Sequence, residues 1–161
     1  MSSFSDPKEI SGYAENANRR VPGLNDIHRM SALLLAERTP PDGRVLVVGA
    51  GGGMELKVFA QSYPGWQLDG VDPSAEMLHL AKTALGPLVS RVQLHHGYVE
   101  AAPRGPFDGA SCLLTLHFTT EAERYRTLCE IHSRLKPGGA LVTMHYSIAE
   151  NPAERELWLS R

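Results

Sequence analysis

Three alternate glycines in a short run are the clearest chemical signal in this sequence. Gly49, Gly51 and Gly53 follow the apolar residues 45–48, and a helical pattern comes next. A buried strand that turns through glycines into a helix lets the backbone approach a ligand closely, because side chains there would block it. The turn, including Ala50, predicts a binding site for a nucleoside or a nucleotide.

One carboxylate stands where a ribose-binding group is expected. Residues 66–71 form the next predicted strand, and Asp72 follows it, about 20 positions beyond the first glycine. In nucleotide-binding βαβ units a carboxylate at this place accepts hydrogen bonds from the ribose hydroxyls. Asp69, nearer the middle of the same strand, is expected to face outward or to cap a group close by in the chain. Met54 replaces the last glycine of the dinucleotide fingerprint, which disfavours an NAD-dependent oxidoreductase.

Two histidines follow predicted strands, at the sheet edge where open α/β folds bind ligands. His117 follows the fourth strand and is expected to contact the substrate and act in catalysis, while His145 ends the fifth and is expected to contact the substrate. His95 and His96 are neighbours on a strand and point to opposite faces, so they cannot hold one metal ion together. No other residues have metal-ligand spacing. His28 is predicted to lie on a helix surface.

The composition is that of one ordinary globular domain. The chain has 161 residues, enough for a sizeable core, and a formal net charge of −2. This charge gives no general attraction for nucleic acid or anionic membranes. No apolar run approaches the roughly 18 residues that a membrane span needs, and the first residues do not form a secretory signal. We therefore expect a cytoplasmic protein that does not act at a membrane and for which a nucleic-acid partner is disfavoured.

Predicted strands and helices alternate along the chain, which indicates an α/β fold with a doubly wound, mostly parallel sheet and helices on both faces. The strands are expected near residues 44–49, 66–71, 92–96, 109–116 and 140–146. The helices are expected near residues 27–38, 54–63, 74–85 and 121–135, with a last one from Pro152. Ser74 and Thr120 should cap two helices, the second in a capping box with Glu123.

Three segments together resemble the class I S-adenosylmethionine-dependent methyltransferases. They are the glycine turn of residues 45–53, Asp72 with the Pro-Ser-Ala-Glu-Met-Leu that follows it, and the Leu-Lys-Pro-Gly-Gly that begins at Leu135. Each motif alone is common, but their order and spacing are typical of this family. The resemblance implies a Rossmann-like fold, S-adenosylmethionine as the cofactor, and methyl transfer to a small-molecule acceptor.

The resemblance also implies the parts of the domain and its contacts. Residues 1–161 would form a single methyltransferase-like domain, with a helical N-terminal cap over residues 1–39 and a cofactor-binding core over residues 43–148. The glycine turn would face the amino-acid end of the cofactor and Asp72 its ribose. Further cofactor contacts are expected from Pro73, Tyr98, Val99 and Leu114, and further substrate contacts from Tyr13 and Arg20. Tyr98 stands where the family usually has an aspartate that contacts adenine.

The family carries two further strands after the fifth, as an antiparallel hairpin at the sheet edge, and this sequence lacks a counterpart. The fifth strand would then be an uncovered edge, which pairs readily with another chain. We expect a homodimer formed through residues 140–146 or through the last helix, where Leu157, Trp158 and Leu159 cluster. The alternative is a monomer in which this helix folds back over the fifth strand.

Two alternatives stay open. The chain could be a non-catalytic S-adenosylmethionine-binding domain or a fragment, which the missing hairpin and Tyr98 favour. Residues 20–23, Arg-Val-Pro-Gly, also resemble the entry to the first long helix in relatives that modify wobble uridine in tRNA, including makers of a carboxylated S-adenosylmethionine.

Overall fold

The computed structural model describes residues 13–146 and 151–160, without the side chains of residues 13–15 and Leu159. The first twelve residues of the predicted cap therefore lie outside the described part. The helices and strands, in chain order, are α1 (Tyr13–Arg20), α2 (Leu24–Ala36), β1 (Arg44–Val48), α3 (Met54–Ser62), β2 (Gln67–Asp72), α4 (Ala75–Leu85), β3 (Val92–His96), β4 (Phe107–Leu113), α5 (Glu121–Arg134), β5 (Leu135–Met144) and α6 (Pro152–Leu159). Short 3₁₀ segments lie at Gly86–Arg91, Val99–Ala101 and Leu116–Phe118. None of the described helices is both long and apolar enough to cross a membrane.

The five strands are parallel and form one sheet in the order β3-β2-β1-β4-β5. The chain places β2 and β3 on one side of β1 and then returns to place β4 on the other side. This reversal opens a crevice at the carboxyl ends of β1 and β4, where ligands bind in folds of this kind. The predicted doubly wound, Rossmann-like sheet is confirmed.

Both faces of the central strand β1 are buried, because alternate side chains point to opposite faces of a sheet. Val45 packs with Leu35 of α2 and Phe59 of α3. Its neighbour Leu46 packs on the other face with Ile131 of α5. The apolar run that precedes the glycines is thus held from both sides, which makes its end a rigid place for a binding turn.

The two predicted helix caps are confirmed. Ser74 Oγ accepts a hydrogen bond from Met77 N (3.2 Å) at the start of α4. Thr120 Oγ1 accepts one from Glu123 N (3.3 Å), and Glu123 Oε2 accepts one from Thr120 N (2.8 Å) at the start of α5. These side chains satisfy amide groups that have no partner within their helices.

The predicted boundaries differ most from the structure at three places. α2 begins earlier, at Leu24, because Gly23 supplies a left-handed residue with φ 79° just before it. β4 ends at Leu113, since Leu114 leaves the strand with φ 51°. β5 begins at Leu135, directly after α5, and pairs with β4 through a register irregularity.

Two polar side chains that were predicted to be exposed are buried. His28 is only 5% exposed on α2. Asp69 accepts hydrogen bonds from Arg44 Nε (2.8 Å) and His95 Nε2 (2.7 Å). These partners lie on the neighbouring strands β1 and β3, so the Asp69 carboxylate joins three strands instead of facing solvent.

β5 is an edge strand with little cover. Within the described residues it pairs with β4 alone, and every one of its residues is at least partly exposed. The expectation of an uncovered edge over residues 140–146 therefore agrees with this part of the structure.

Candidate functional site

The glycine turn joins β1 to α3 at the crevice. Gly49, Gly51 and Gly53 have φ angles of 76°, 48° and 79°, in the left-handed region where other residues are strained. A Cβ on Gly49 would lie 2.0 Å from Thr115 Oγ1, and one on Gly53 would lie 2.8 Å from the Cα of Ala81. Conformation and packing both require glycine here, and the turn presents bare backbone beside the crevice.

Asp72, at the end of β2, anchors this turn. Its Oδ2 accepts a hydrogen bond from Gly51 N (2.9 Å), and its Oδ1 accepts one from Ser74 N (2.9 Å). Burial, with 9% of the residue exposed, raises the pKa of the carboxyl, while the two N–H groups and His96 oppose that shift. Each carboxylate oxygen has a second lone pair, so Asp72 can hold the turn and still accept a further hydrogen bond.

The other residues predicted to bind the cofactor differ in what they present. His96 Nε2 donates to the Pro73 carbonyl oxygen (3.0 Å), which ties the end of β3 to the residue after β2. Tyr98 is 60% exposed just beyond β3. The side chains of Ala50 and Val99 are buried in the core, so a cofactor contact at these two positions would come from the backbone.

The segment after β4 borders the glycine turn. Leu114 has φ 51°, which costs a non-glycine residue about 1 kcal/mol or more, and its N–H donates to the Met144 carbonyl oxygen (2.6 Å). Thr115 Oγ1 donates to the Leu113 carbonyl oxygen (2.9 Å) and packs against Gly49. Strain of this kind is concentrated at binding sites, and here it shapes one wall of the crevice.

His117 lies in the 3₁₀ turn Leu116–Phe118 at the same edge of the sheet. Its Nδ1 is buried and has no hydrogen-bond partner among the described residues. Burial lowers the pKa of the imidazole, and the charges of His145 and Arg124 lower it further. The ring is therefore neutral near pH 7 and has a nitrogen that a ligand can satisfy.

The N-terminal segment reaches the end of β5. Tyr146 Oη donates a hydrogen bond to the carbonyl oxygen of Arg20 at the end of α1 (3.3 Å). The Arg20 side chain is exposed, and the side chain of Tyr13 lies outside the described part. Sequence reasoning missed Tyr146, although its place just after His145 at the end of a strand was a usable signal.

Glu55 is a second buried carboxyl that sequence reasoning missed. It lies in the first turn of α3, and Ser111 Oγ of β4 donates a hydrogen bond to its Oε1 (2.5 Å). Burial raises the pKa of Glu55 to about 7, although the Ser111 hydrogen bond acts against the shift. The pair links α3, directly behind the glycine turn, to the strand on the far side of the crevice.

The family of the chain follows from its match to a known domain. The family model described as "Methyltransferase domain" matches residues 45–139, which include the glycine turn, Asp72 and the segment after β4. The chain belongs to the class I S-adenosylmethionine-dependent methyltransferases. The resemblance noted from the three sequence motifs is thereby confirmed.

Relatives of this methyltransferase differ in what they act on. The ubiquinone/menaquinone biosynthesis C-methyltransferase UbiE of Syntrophotalea carbinolica is 30% identical over 110 residues, 68% of this chain and 46% of UbiE. The carboxy-S-adenosyl-L-methionine synthase of Campylobacter fetus is 24% identical over 140 residues, 85% of this chain and 58% of the synthase.

A solved relative gives the same picture of the fold. CalS10, an amino pentose methyltransferase of Micromonospora echinaspora with S-adenosylmethionine bound, has a TM-score of 0.71 at 29% identity, and the match covers 86% of this chain and 58% of CalS10. The chain spans about half the length of the curated relatives it matches.

Proposed function

We propose that this methyltransferase binds S-adenosylmethionine in the crevice between β1 and β4 and transfers its methyl group to a small-molecule acceptor. The observation that carries the proposal is the glycine turn held by Asp72 through the Gly51 N–H. CalS10, a relative at 29% identity, was solved with this cofactor bound, which supports the choice of cofactor.

The residues present fit this cofactor. Gly51 adopts the left-handed φ of 48° without a side chain, and Asp72 keeps acceptor capacity for ribose hydroxyls while it binds the Gly51 N–H. The exposed ring of Tyr98 can pack on adenine. When bound, S-adenosylmethionine supplies an electrophilic methyl group on its sulfonium, so the protein's main task is to hold the acceptor in line.

His117 is the proposed catalytic residue, and His145 and Arg20 are proposed to contact the substrate. The neutral His117 ring can accept a hydrogen bond, or a proton, from an acceptor hydroxyl at its unpartnered Nδ1. The exposed His145 and Arg20 lie on segments that meet at the same edge. An acceptor that must lose a proton would use His117 as general base.

Calorimetry with S-adenosylmethionine, S-adenosylhomocysteine and NAD tests the binding site. We expect the first two to bind with 1:1 stoichiometry and NAD not to bind. Gly51→Ala should weaken S-adenosylhomocysteine binding at least tenfold, because it adds a Cβ and strains the turn. Gly86→Ala is the matched control: its φ of 53° is similar, no atom of the described residues beyond its chain neighbours lies within 4 Å of its Cβ, and it ends α4 away from the crevice. Equal affinities of the two variants would remove the turn from the site.

Turnover separates an enzyme from a binding domain. With a panel of small acceptors, mass spectrometry should detect S-adenosylhomocysteine and a product heavier by one methylene. Cofactor binding without product for any acceptor would support the alternative of a non-catalytic binding domain.

A second candidate is a role in making carboxylated S-adenosylmethionine for tRNA wobble-uridine modification. The match to the Campylobacter fetus synthase covers 85% of this chain, more than the match to UbiE. Mass spectrometry of the cofactor that copurifies with the protein separates the two, since a carboxylated cofactor favours the second candidate and an unmodified one favours the first.

A further inference from the structure

Four rings form a continuous aromatic cluster beside the crevice: Phe118, His117, Tyr146 and Trp158. The centroids of His117 and Phe118 are 4.1 Å apart, and those of His117 and Tyr146 are 5.0 Å apart. Tyr146 and Trp158 are 6.1 Å apart in an edge-to-face arrangement. The cluster joins the segment after β4, the end of β5 and α6.

The aromatic cluster lies beside the proposed cofactor site. Thr115, two residues before His117, packs against Gly49 of the glycine turn. The Tyr146 hydroxyl donates a hydrogen bond to the Arg20 carbonyl oxygen, so the end of α1 lies at the same edge of the sheet. A molecule seated on these rings would therefore be next to the proposed cofactor site.

Two rings of the aromatic cluster present apolar surface to the outside of the described structure. Phe118 and Trp158 keep large exposed areas, Trp158 being 43% exposed, and exposed apolar rings that lie together often mark binding sites. His117 Nδ1 is buried and has no hydrogen-bond partner in the described part of the chain, so one polar atom of the cluster is unsatisfied there.

The electrostatics of the aromatic cluster favour a negative ligand. Arg124 Nε donates a hydrogen bond to the carbonyl oxygen of Thr119, the residue after Phe118 (3.3 Å), so a permanent positive charge lies beside the cluster. This guanidinium would repel a cationic acceptor and attract an anionic oxygen. Offset or edge-to-face contact between the rings of the cluster and a flat ligand ring would stabilise the complex.

We propose that the aromatic cluster binds the methyl acceptor, and that the acceptor is an aromatic ring carrying an anionic oxygen, as a carboxylate or a phenolate. The inference rests on the proposed function, since it names the substrate class of that same site. It assigns Tyr146, Trp158 and Phe118 as specificity-determining residues that contact the acceptor ring.

Calorimetry in the presence of saturating S-adenosylhomocysteine tests the class with four probes: benzoate, 4-nitrophenolate, cyclohexanecarboxylate and benzylammonium. We expect benzoate or 4-nitrophenolate to bind, and whichever binds more tightly identifies the anionic group. Cyclohexanecarboxylate keeps the charge without the aromatic ring and should bind at least tenfold more weakly. Benzylammonium keeps the ring with the opposite charge and should not bind. Equal affinity for cyclohexanecarboxylate or benzylammonium would overturn the assignment.

Tryptophan fluorescence locates the probe. The chain has two tryptophans, and Trp66 is 1% exposed and stacked on Tyr63 in the core, so only Trp158 can report a ligand at the surface. The anionic aromatic probe that binds more tightly should change the fluorescence emission of Trp158 in the native protein. Trp158→Phe should abolish the change and retain calorimetric affinity within about threefold, because a ring remains. An unchanged signal in this variant would contradict the location.

Two variants of Tyr146 complete the test. Tyr146→Ala should lower the affinity for the anionic aromatic probe by about 3- to 10-fold, the range expected for one ring contact. Tyr146→Phe keeps the ring and loses only the hydrogen bond to Arg20, so it should bind as the native protein does. S-adenosylhomocysteine is titrated into every sample. If the native protein binds S-adenosylhomocysteine but neither aromatic anion, the acceptor class alone is refuted. If the native protein does not bind S-adenosylhomocysteine either, the proposed function is refuted.

Discussion

At the scale of single residues, Asp72 combines two tasks in one carboxylate. It accepts the Gly51 and Ser74 N–H groups, and it keeps lone pairs for a ligand. Its place after a strand and its distance from the glycines were enough to predict a ribose contact. The anchoring of the turn was not predictable, because it depends on which way the peptide N–H groups point.

Glu55 and His28 show why other residues escaped prediction. On a helix, a single polar residue is usually exposed, and the pattern around these two gave no contrary signal. The structure buries Glu55 because Ser111 offers a partner across the sheet, and it buries His28 because α2 packs on both α3 and the sheet. The burial of Glu55 and of His28 depends on how the helices pack on the sheet, which a local sequence pattern does not contain.

The two buried groups predict opposite dependences of stability on pH. The pKa of Glu55 is raised from 4.5 to about 7, so the folded state binds more protons than the unfolded state in that range and stability falls as pH rises through it. The pKa of His28 is lowered from 6.5 to about 4, so the unfolded state binds more protons and stability rises with pH between these values. In the native protein the two contributions offset each other.

Glu55→Gln should reveal the His28 contribution. Chemical denaturation at pH values from 4.5 to 7.5 should show the variant gaining stability relative to the native protein, by on the order of 2 kcal/mol across the range. His28→Gln is the matched control, and its stability should fall with pH. A Glu55→Gln difference that does not change with pH would mean that Glu55 ionises normally in the folded protein.

His117 should affect turnover more than cofactor binding. His117→Ala removes the proposed general base and a ring of the aromatic cluster, so kcat with a hydroxyl acceptor should fall by about 100-fold or more. The affinity for S-adenosylhomocysteine should stay within about twofold, under 0.5 kcal/mol. His79→Ala, on α4, is the control. Equal losses in turnover and cofactor affinity would place His117 among the cofactor contacts instead.

At the scale of helices and strands, order and type were predictable, and several ends were not. Caps with side-chain acceptors, such as Ser74 and Thr120, were predictable because their chemistry is local. The end of β4 at Leu113 was not, because it depends on the left-handed Leu114, whose N–H donates to the Met144 carbonyl of another strand. Long-range contacts of this kind are not encoded in a local pattern.

The capping box of α5 gives a prediction at this scale. Thr120→Ala should lower the free energy of unfolding by about 1 kcal/mol, because Glu123 N loses its acceptor. S-adenosylhomocysteine affinity should not change, since the cap is away from the glycine turn. Ser133→Ala, near the other end of the same helix, should change stability by less than about 0.5 kcal/mol. A Thr120→Ala loss no larger than that of the control would show that the box does not stabilise the helix.

At the scale of the whole molecule, the open edge of β5 predicts self-association. Its residues are all partly exposed, and Leu157 and Trp158 of α6 are exposed apolar groups. A two-fold dimer would pair this edge or cover α6. The homodimer, the cytoplasmic location and the division into residues 1–39 and 43–148 stay predictions.

Sedimentation velocity at several protein concentrations checks the dimer. We expect the sedimentation coefficient to rise with concentration, and amide exchange over residues 140–146 to slow as it rises. Leu157→Glu should weaken association if α6 takes part, whereas Leu33→Glu on the exposed side of α2 is the control. A monomer at every concentration, with slow exchange over residues 140–146, would refute the dimer.

The central claim is that Asp72 and the glycine turn bind S-adenosylmethionine, and titration calorimetry of Asp72→Ala with S-adenosylhomocysteine tests it most directly. Loss of the carboxylate leaves ribose hydroxyls without an acceptor and frees the turn. The affinity should fall by about 5- to 150-fold, equivalent to roughly 1–3 kcal/mol. Asp42→Ala is the matched control, since Asp42 is exposed in the turn before β1, at the opposite end of the sheet. The affinity of this variant for S-adenosylhomocysteine should stay within about twofold of the native value. A folded Asp72→Ala protein that binds S-adenosylhomocysteine as tightly as the control would contradict the account.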